Sequence, residues 1–134
     1  MFTFSNKSME KLAQVHPDLV KVMEAAITIS TVDFGINEGV RTIEAQKAYF
    51  DAGKSKTMDS MHLLQEDGSA HAVDIFVLNK GIVTYEPRFF RPAIQSIITA
   101  AIEEEVQITV GMLWLNFVDS PHIELNQKYY SKKK

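Results

Sequence analysis

The run Ala70-His71-Ala72-Val73-Asp74-Ile75-Phe76-Val77-Leu78 leaves the chain the least freedom. It is dense in apolar and β-branched residues and is followed by the turn-forming Asn79-Lys80-Gly81. It therefore reads as a central strand, with a return strand over residues 82–84. What makes it unusual is the carboxylate in its middle. Alternate residues of a strand share a face, which groups Ala70, Ala72 and Asp74. Two alanines beside a carboxylate leave space for an ion and its water, whereas an Asp among larger apolar groups would carry an uncompensated desolvation cost. The plainer alternative is an edge strand with Asp74 in solvent, and composition alone favours that reading.

The rest of the chain supplies partners for this strand. Residues 17–30 carry Leu19, Val20, Val22, Met23, Ala26 and Ile27 at a helical period, with Pro17 in the first turn. Residues 33–38 read as a short strand, and 42–52 as a helix with Thr42 as N-cap and Gly53 as its stop. The longest helix is expected over 88–106, entered through Pro87. It ends in Glu103-Glu104-Glu105, which opposes the helix dipole there and so reads as a solvated face. A strand over 107–110, a loop around Trp114 and a last strand over 122–125 complete the pattern. Irregular alternation with a hairpin predicts an α+β fold, a small and mostly antiparallel sheet with helices packed around it.

A chain of 134 residues suits one compact domain. No repeat, low-complexity stretch or Pro/Gly/Ser linker marks a second module. One domain over 1–130 is expected, with 131–134, containing Lys132-Lys133-Lys134, as a loose basic tail. The balance of 46% apolar and 23% charged residues is that of a globular protein. The absence of cysteine removes a disulfide framework, a Cys-type zinc site and a thiol nucleophile together, so any metal must be held by His, Asp or Glu. A net charge of −3 argues against a general nucleic-acid binder. Met1-Phe2-Thr3-Phe4-Ser5 lacks the basic start and apolar core of a signal peptide, and no apolar run reaches membrane-spanning length. Synthesis in the cytoplasm without stable membrane insertion is the expectation.

Four histidines are present: His16, His62, His71 and His122. Two of them with a carboxylate, leaving one position for water, would make a catalytic rather than a structural zinc site. His71 is three residues from Asp74 and so on the opposite face of the strand, which assigns it to packing or support rather than to the same ion. His62 precedes the polar loop Gln65-Glu66-Asp67-Gly68-Ser69, which would fold it back toward Asp74; by spacing alone it is a surface histidine. In Asp119-Ser120-Pro121-His122-Ile123-Glu124-Leu125, Pro121 fixes the backbone and the apolar flanks draw His122 into a buried strand. A buried neutral imidazole is a good ligand, and a nearby acid is placed to take a proton from water. Taken singly, an Asp-x-x-His spacing is weak.

The motifs together are more specific. Val15-His16-Pro17-Asp18-Leu19-Val20, Glu38-Gly39-Val40-Arg41-Thr42, Ser60-Met61-His62-Leu63, His71-Ala72-Val73-Asp74, and Gly111 through Trp114 to Leu125 follow one another in an order that resembles the VanY-like zinc peptidases. Within these the likeness is to phage endolysins that cleave L-alanyl-D-glutamate bonds, and it covers nearly the whole chain. The resemblance implies a zinc peptidase fold of the D,D-peptidase and Hedgehog type. It implies zinc held by His62, Asp74 and His122, with Asp119 as catalytic acid/base. Arg41 would bind a substrate carboxylate or steady the developing oxyanion, a role suited to a planar two-donor fork.

Trp114 reads as cleft wall or core filler. Two departures from the family pattern stand out. Eleven residues separate His62 from Asp74, so that 65–69 look like an insertion, and Leu113 stands where relatives often have an acidic residue. The implied substrate is a peptidoglycan stem peptide, cut between L-Ala and D-Glu by a monomer that reaches the wall after a holin opens the inner membrane. Trimming of terminal D-Ala, and a non-catalytic descendant that binds peptidoglycan or a phage protein, are the alternatives.

Overall fold

In the computed structural model, which describes residues 1–116 and 118–130, the elements follow the apolar pattern closely. Helix α1 (Asn6–Lys11) and helix α2 (Pro17–Ile29) lead into strand β1 (Asp33–Glu38) and helix α3 (Ile43–Asp51). A long loop then reaches β2 (Ala72–Asn79), followed by β3 (Ile82–Thr84), helix α4 (Pro87–Glu104), β4 (Ile108–Val110), a 3-10 turn (Gly111–Leu113), β5 (His122–Leu125) and helix α5 (Gln127–Tyr130). The loose tail expected at 131–134 lies outside the described residues. Among the described residues no helix is long and apolar enough to cross a membrane.

Five strands form one sheet in the order β1-β2-β5-β4, with β3 also pairing β2, and every pairing is antiparallel. The α+β architecture with a mostly antiparallel sheet is thus what the hydrophobic pattern called for. Along β2 the side chains divide as a strand requires: Val73, Ile75 and Val77 are buried, whereas Asp74 and Phe76 are partly exposed on the other face. The buried row meets α4, and α2 packs on α4 within the same apolar core. On α4 the buried residues Phe90, Ala93, Ile94, Ile97, Ala100 and Ala101 recur at helical spacing. This packing leaves the opposite face of β2 to the site.

Local capping follows the sequence. The Thr42 Oγ1 accepts the Ala45 amide proton at 3.0 Å, and Gly53, at φ 77°, follows the end of α3 in the left-handed region that glycine enters without cost. Helix α1, which the apolar pattern does not announce, is capped by the Ser5 hydroxyl, which accepts from the Ser8 amide. The long helix stops earlier than expected because Glu105 adopts φ 59° and the chain turns there, returning the Val106 amide to the Ala101 carbonyl. The acidic run is exposed or half-exposed, and Glu104 sits 3.8 Å from Lys21. Ala70, expected inside β2, instead bridges Val15 and Leu64 just before the strand begins.

The two isoleucines of α4 that face opposite ways test this packing. Ile97 is fully buried and Ile102 is 71% exposed. Urea denaturation is expected to show a loss of roughly 2–5 kcal/mol for Ile97→Ala. For Ile102→Ala the change should stay within about 0.5 kcal/mol. Similar losses at both positions would contradict the assigned helix face.

Candidate functional site

The pairing of β2 with β5 builds the centre of the site. Asp74 lies directly opposite His122 and Ala72 opposite Glu124, so these four side chains project from one face of the sheet. Ala72 shares this face, as the alternation in the sequence implied, and is fully buried. His62 comes from the loop between α3 and β2 and is locked in place by its backbone. Its carbonyl accepts the Arg41 amide proton at 2.9 Å, and its own amide donates to the Ser60 hydroxyl at 3.1 Å. Two segments far apart in sequence thereby deliver imidazoles to one carboxylate. His62 Nε2 and His122 Nδ1 each lie 3.1 Å from Asp74 Oδ1.

The protons on these rings decide what the group can hold. His62 Nδ1 faces the Gly39 carbonyl at 2.7 Å, and His122 Nε2 faces Glu124 Oε1 at 2.7 Å. Both outer contacts are acceptors, so each neutral ring carries its proton outward and turns a lone pair toward Asp74. Two lone pairs and a carboxylate with no donor between them call for a cation. Ligand atoms around a tetrahedral ion at ~2.1 Å sit about 3.4 Å apart, close to the separations observed. The donor set, two nitrogens and one oxygen all within 4.8 Å of one another, therefore fits a divalent metal with a further position left for water.

Without a metal, a proton takes that place. Burial alone would lower the His122 pKa, but hydrogen bonds with Asp74 and Glu124 outweigh it and raise it to about 9. Burial would raise Asp74, yet hydrogen bonds from His122 and His62 hold it well below the usual carboxylate range. Asp119 behaves differently. Burial and the neighbouring Asp74 charge push its carboxyl up, against the opposing pull of His122, His62 and Arg41. A carboxylate with raised proton affinity beside a cation site is placed for proton transfer. Its position is set by a tight turn, in which the Asp119 amide donates to the Gly111 carbonyl and its carbonyl accepts from His122. A Cβ at Gly111 would collide with the Asp119 carbonyl, so only glycine allows this approach.

Arg41 is 9% exposed at its side chain and is held on every side. Its Nε and Nη2 donate to the two Glu38 oxygens at 2.9 and 2.6 Å, and its Nη1 donates to Gln46 Oε1 at 2.6 Å. The fork that would grip a substrate carboxylate is thus taken by Glu38, while Nη2 stays 3.8 Å from Asp74 Oδ2. Gln46, fully buried, also donates to the Ser55 hydroxyl and the Thr57 carbonyl, tying the guanidinium to the loop after α3. These groups border a cleft of about 440 Å³ whose lining includes Arg41, Tyr49, Lys54, Trp114, Asp119 and His122. The Trp114 ring lies 5.2 Å from that of His122, which makes it a wall of the cleft rather than core.

Glu124 and Gln46 escaped the reading of the sequence. Glu124 has a signal, since an acid two residues after a histidine in a strand shares its face. Gln46 has none, because a polar residue on an exposed-looking helix gives no hint of being buried.

His16, Asp67 and His71 form a second group of ligand-type atoms. His71 Nε2 lies 2.8 Å from Asp67 Oδ2 and His16 Nε2 3.8 Å from it, and the His16 ring packs edge-on against His71 and Tyr130. Here the tautomer argument runs the other way. His16 Nδ1 accepts the Asp18 amide proton at the start of α2, so the neutral ring bears its proton on the nitrogen that faces Asp67 and has no lone pair there for a metal. His71 packs in this group, away from the cleft, as strand parity implied. Residues 65–69 make a turn closed by Gln65 and Ser69, and none of them lines the cleft.

A family model described as phage L-alanyl-D-glutamate peptidase matches residues 1–131. Among solved structures, the crystal structure of the Serratia marcescens L-Ala D-Glu endopeptidase ChiX is similar, at 33% sequence identity and a TM-score of 0.89. The alignment covers 98% of this chain and 95% of that one. No curated protein matches the chain.

The raised His122 pKa has a consequence for stability. A histidine held at about 9 in the fold, against 6.5 ordinarily, contributes stability that is fully present below pH 6.5 and is lost as pH rises through about 9. Protein stripped with a chelator is therefore expected to lose resistance to urea across that window, and His122→Asn should flatten the profile. Parallel profiles for the two proteins would refute this origin.

Proposed function

Because the chain belongs to the phage L-alanyl-D-glutamate peptidase family, we propose that it is a zinc peptidase cutting the L-Ala–D-Glu bond of peptidoglycan stem peptides, with His62, Asp74 and His122 as metal ligands. The single observation that carries the metal assignment is the acceptor facing the outer nitrogen of each ring, the Gly39 carbonyl and the Glu124 carboxylate, which leaves the inner nitrogens to a metal. Zinc suits two nitrogens and one carboxylate and, when bound, lowers the pKa of a water ligand to ~7 and polarises a carbonyl.

The chain's own groups do the rest. Gly39 and Glu124 hold the two imidazoles in orientation through their outer nitrogens. Asp119, beside the proposed metal ligands in the cleft, takes the proton of the attacking water and returns it to the amide nitrogen of the departing D-Glu. Arg41, kept charged and rigid by Glu38 and Gln46, stabilises negative charge that develops on the scissile carbonyl oxygen. With its fork on Glu38, this electrostatic role fits Arg41 better than direct binding of a substrate carboxylate. Trp114 closes one side of the cleft beside His122 and limits water there.

Digestion of purified sacculi followed by mass spectrometry tests the reaction. New L-Ala carboxyl termini and D-Glu amino termini are expected, abolished by chelation and restored by zinc; release of D-alanine alone would replace this reading with a D,D-carboxypeptidase. Asp119→Asn is expected to lower kcat by about 10²–10⁴-fold while leaving zinc bound. Glu124→Ala should weaken zinc binding by about 10–100-fold. In wild type, zinc at a hundredfold excess over its dissociation constant should add roughly 2.7 kcal/mol of stability. That corresponds to a rise in Tm on the order of 10 °C. Unchanged melting with zinc would remove the metal from the proposal.

A further inference from the structure

The reaction leaves one charge without a receptor. A glutamyl residue has two carboxyl groups, and continuing the peptide through one of them leaves the other as a free carboxylate close to the scissile nitrogen. The obvious partner, Arg41, already has its two-pronged edge on Glu38 and its third nitrogen on Gln46. Two other cations, Lys54 and Lys56, line the same cleft, together with Asp59. Lys56 has an interaction of its own. Lys54 is exposed, and among the described residues its ammonium has no partner.

The backbone that carries Lys54 is held in place. The Lys54 and Ser55 amides both donate to the Tyr49 carbonyl, at 2.8 and 3.2 Å. Gln46 Nε2 donates to the Ser55 hydroxyl at 2.8 Å and to the Thr57 carbonyl at 2.6 Å. The same Gln46 accepts from Arg41, so the segment bearing Lys54 is fixed relative to the guanidinium beside Asp74. A flexible ammonium on an anchored backbone at the edge of a catalytic cleft is suited to reading an anionic substituent without the strict geometry of a guanidinium fork.

We propose that Lys54 is a specificity-determining residue, whose ammonium binds the free carboxylate of the glutamyl residue on the leaving side of the scissile bond. The inference rests on the endopeptidase reading above and assigns the substrate charge to a residue outside the metal centre. The contact is partly in water, so it acts mainly on substrate binding and is weakened by salt.

The test compares two synthetic stem peptides, one with a free glutamyl carboxylate and one with that group as a carboxamide, cleaved by the zinc-loaded enzyme. Wild type is expected to favour the carboxylate through KM by about two- to fivefold, as a partly exposed ion pair allows. Lys54→Met should erase the preference with kcat unchanged, and Lys54→Arg should restore most of it. Survival of the preference in Lys54→Met, its loss in Lys56→Met instead, or equal rates for both peptides with wild type would each overturn the assignment while leaving the endopeptidase intact. Failure of the zinc-loaded wild type to cut either peptide would instead bring down the endopeptidase reading, and Lys54 with it.

Discussion

The antiparallel register between β2 and β5 is the constraint on which the site depends. It sets Asp74 against His122 and, two pairs further, Ala72 against Glu124. A shift of one residue would turn all of these side chains to the opposite face. The register is held by the buried row on the other side of the same strands, where Val73, Ile75 and Ile123 are fully covered. Hydrophobic packing on one face of the sheet thereby fixes polar geometry on the other.

Around this pair, the polar groups are satisfied in a way that gives each one a single orientation. His62 has its outer nitrogen on a backbone carbonyl and His122 has its own on Glu124, which Gln127 in turn contacts at 2.9 Å. Arg41 is fastened by Glu38 and Gln46, and no buried side-chain nitrogen or oxygen among the described residues is left without a partner. Such full satisfaction matters because a half-paired polar group in a low-dielectric setting costs more than it contributes. The outer hydrogen bonds thereby turn the remaining nitrogen of each ring toward Asp74.

The loop between His62 and Asp74 keeps clear of the cleft. Residues 65–69 form a turn pinned by Asp67 to Ser69 and His71, and none of them lines the cleft. The ligand-type histidine before the loop and the aspartate after it are both held by contacts outside the loop.

The periodicity of the chain was enough to determine the α+β class, the central strand with its carboxylate and the long helix, because burial of one face imposes a readable spacing on strands and helices. Asp74 between small residues and His122 after Pro121 were visible for the same reason, and motif order tied them to His62, Asp119 and Arg41. Tertiary structure alone decided which acceptor each histidine faces, that Glu38 pairs with the Arg41 fork, and that Gln46 lies buried at the junction of α3 and its following loop. These depend on contacts between segments distant in sequence. Hydrogen-bond partners of that kind leave no periodic trace in the order of residues.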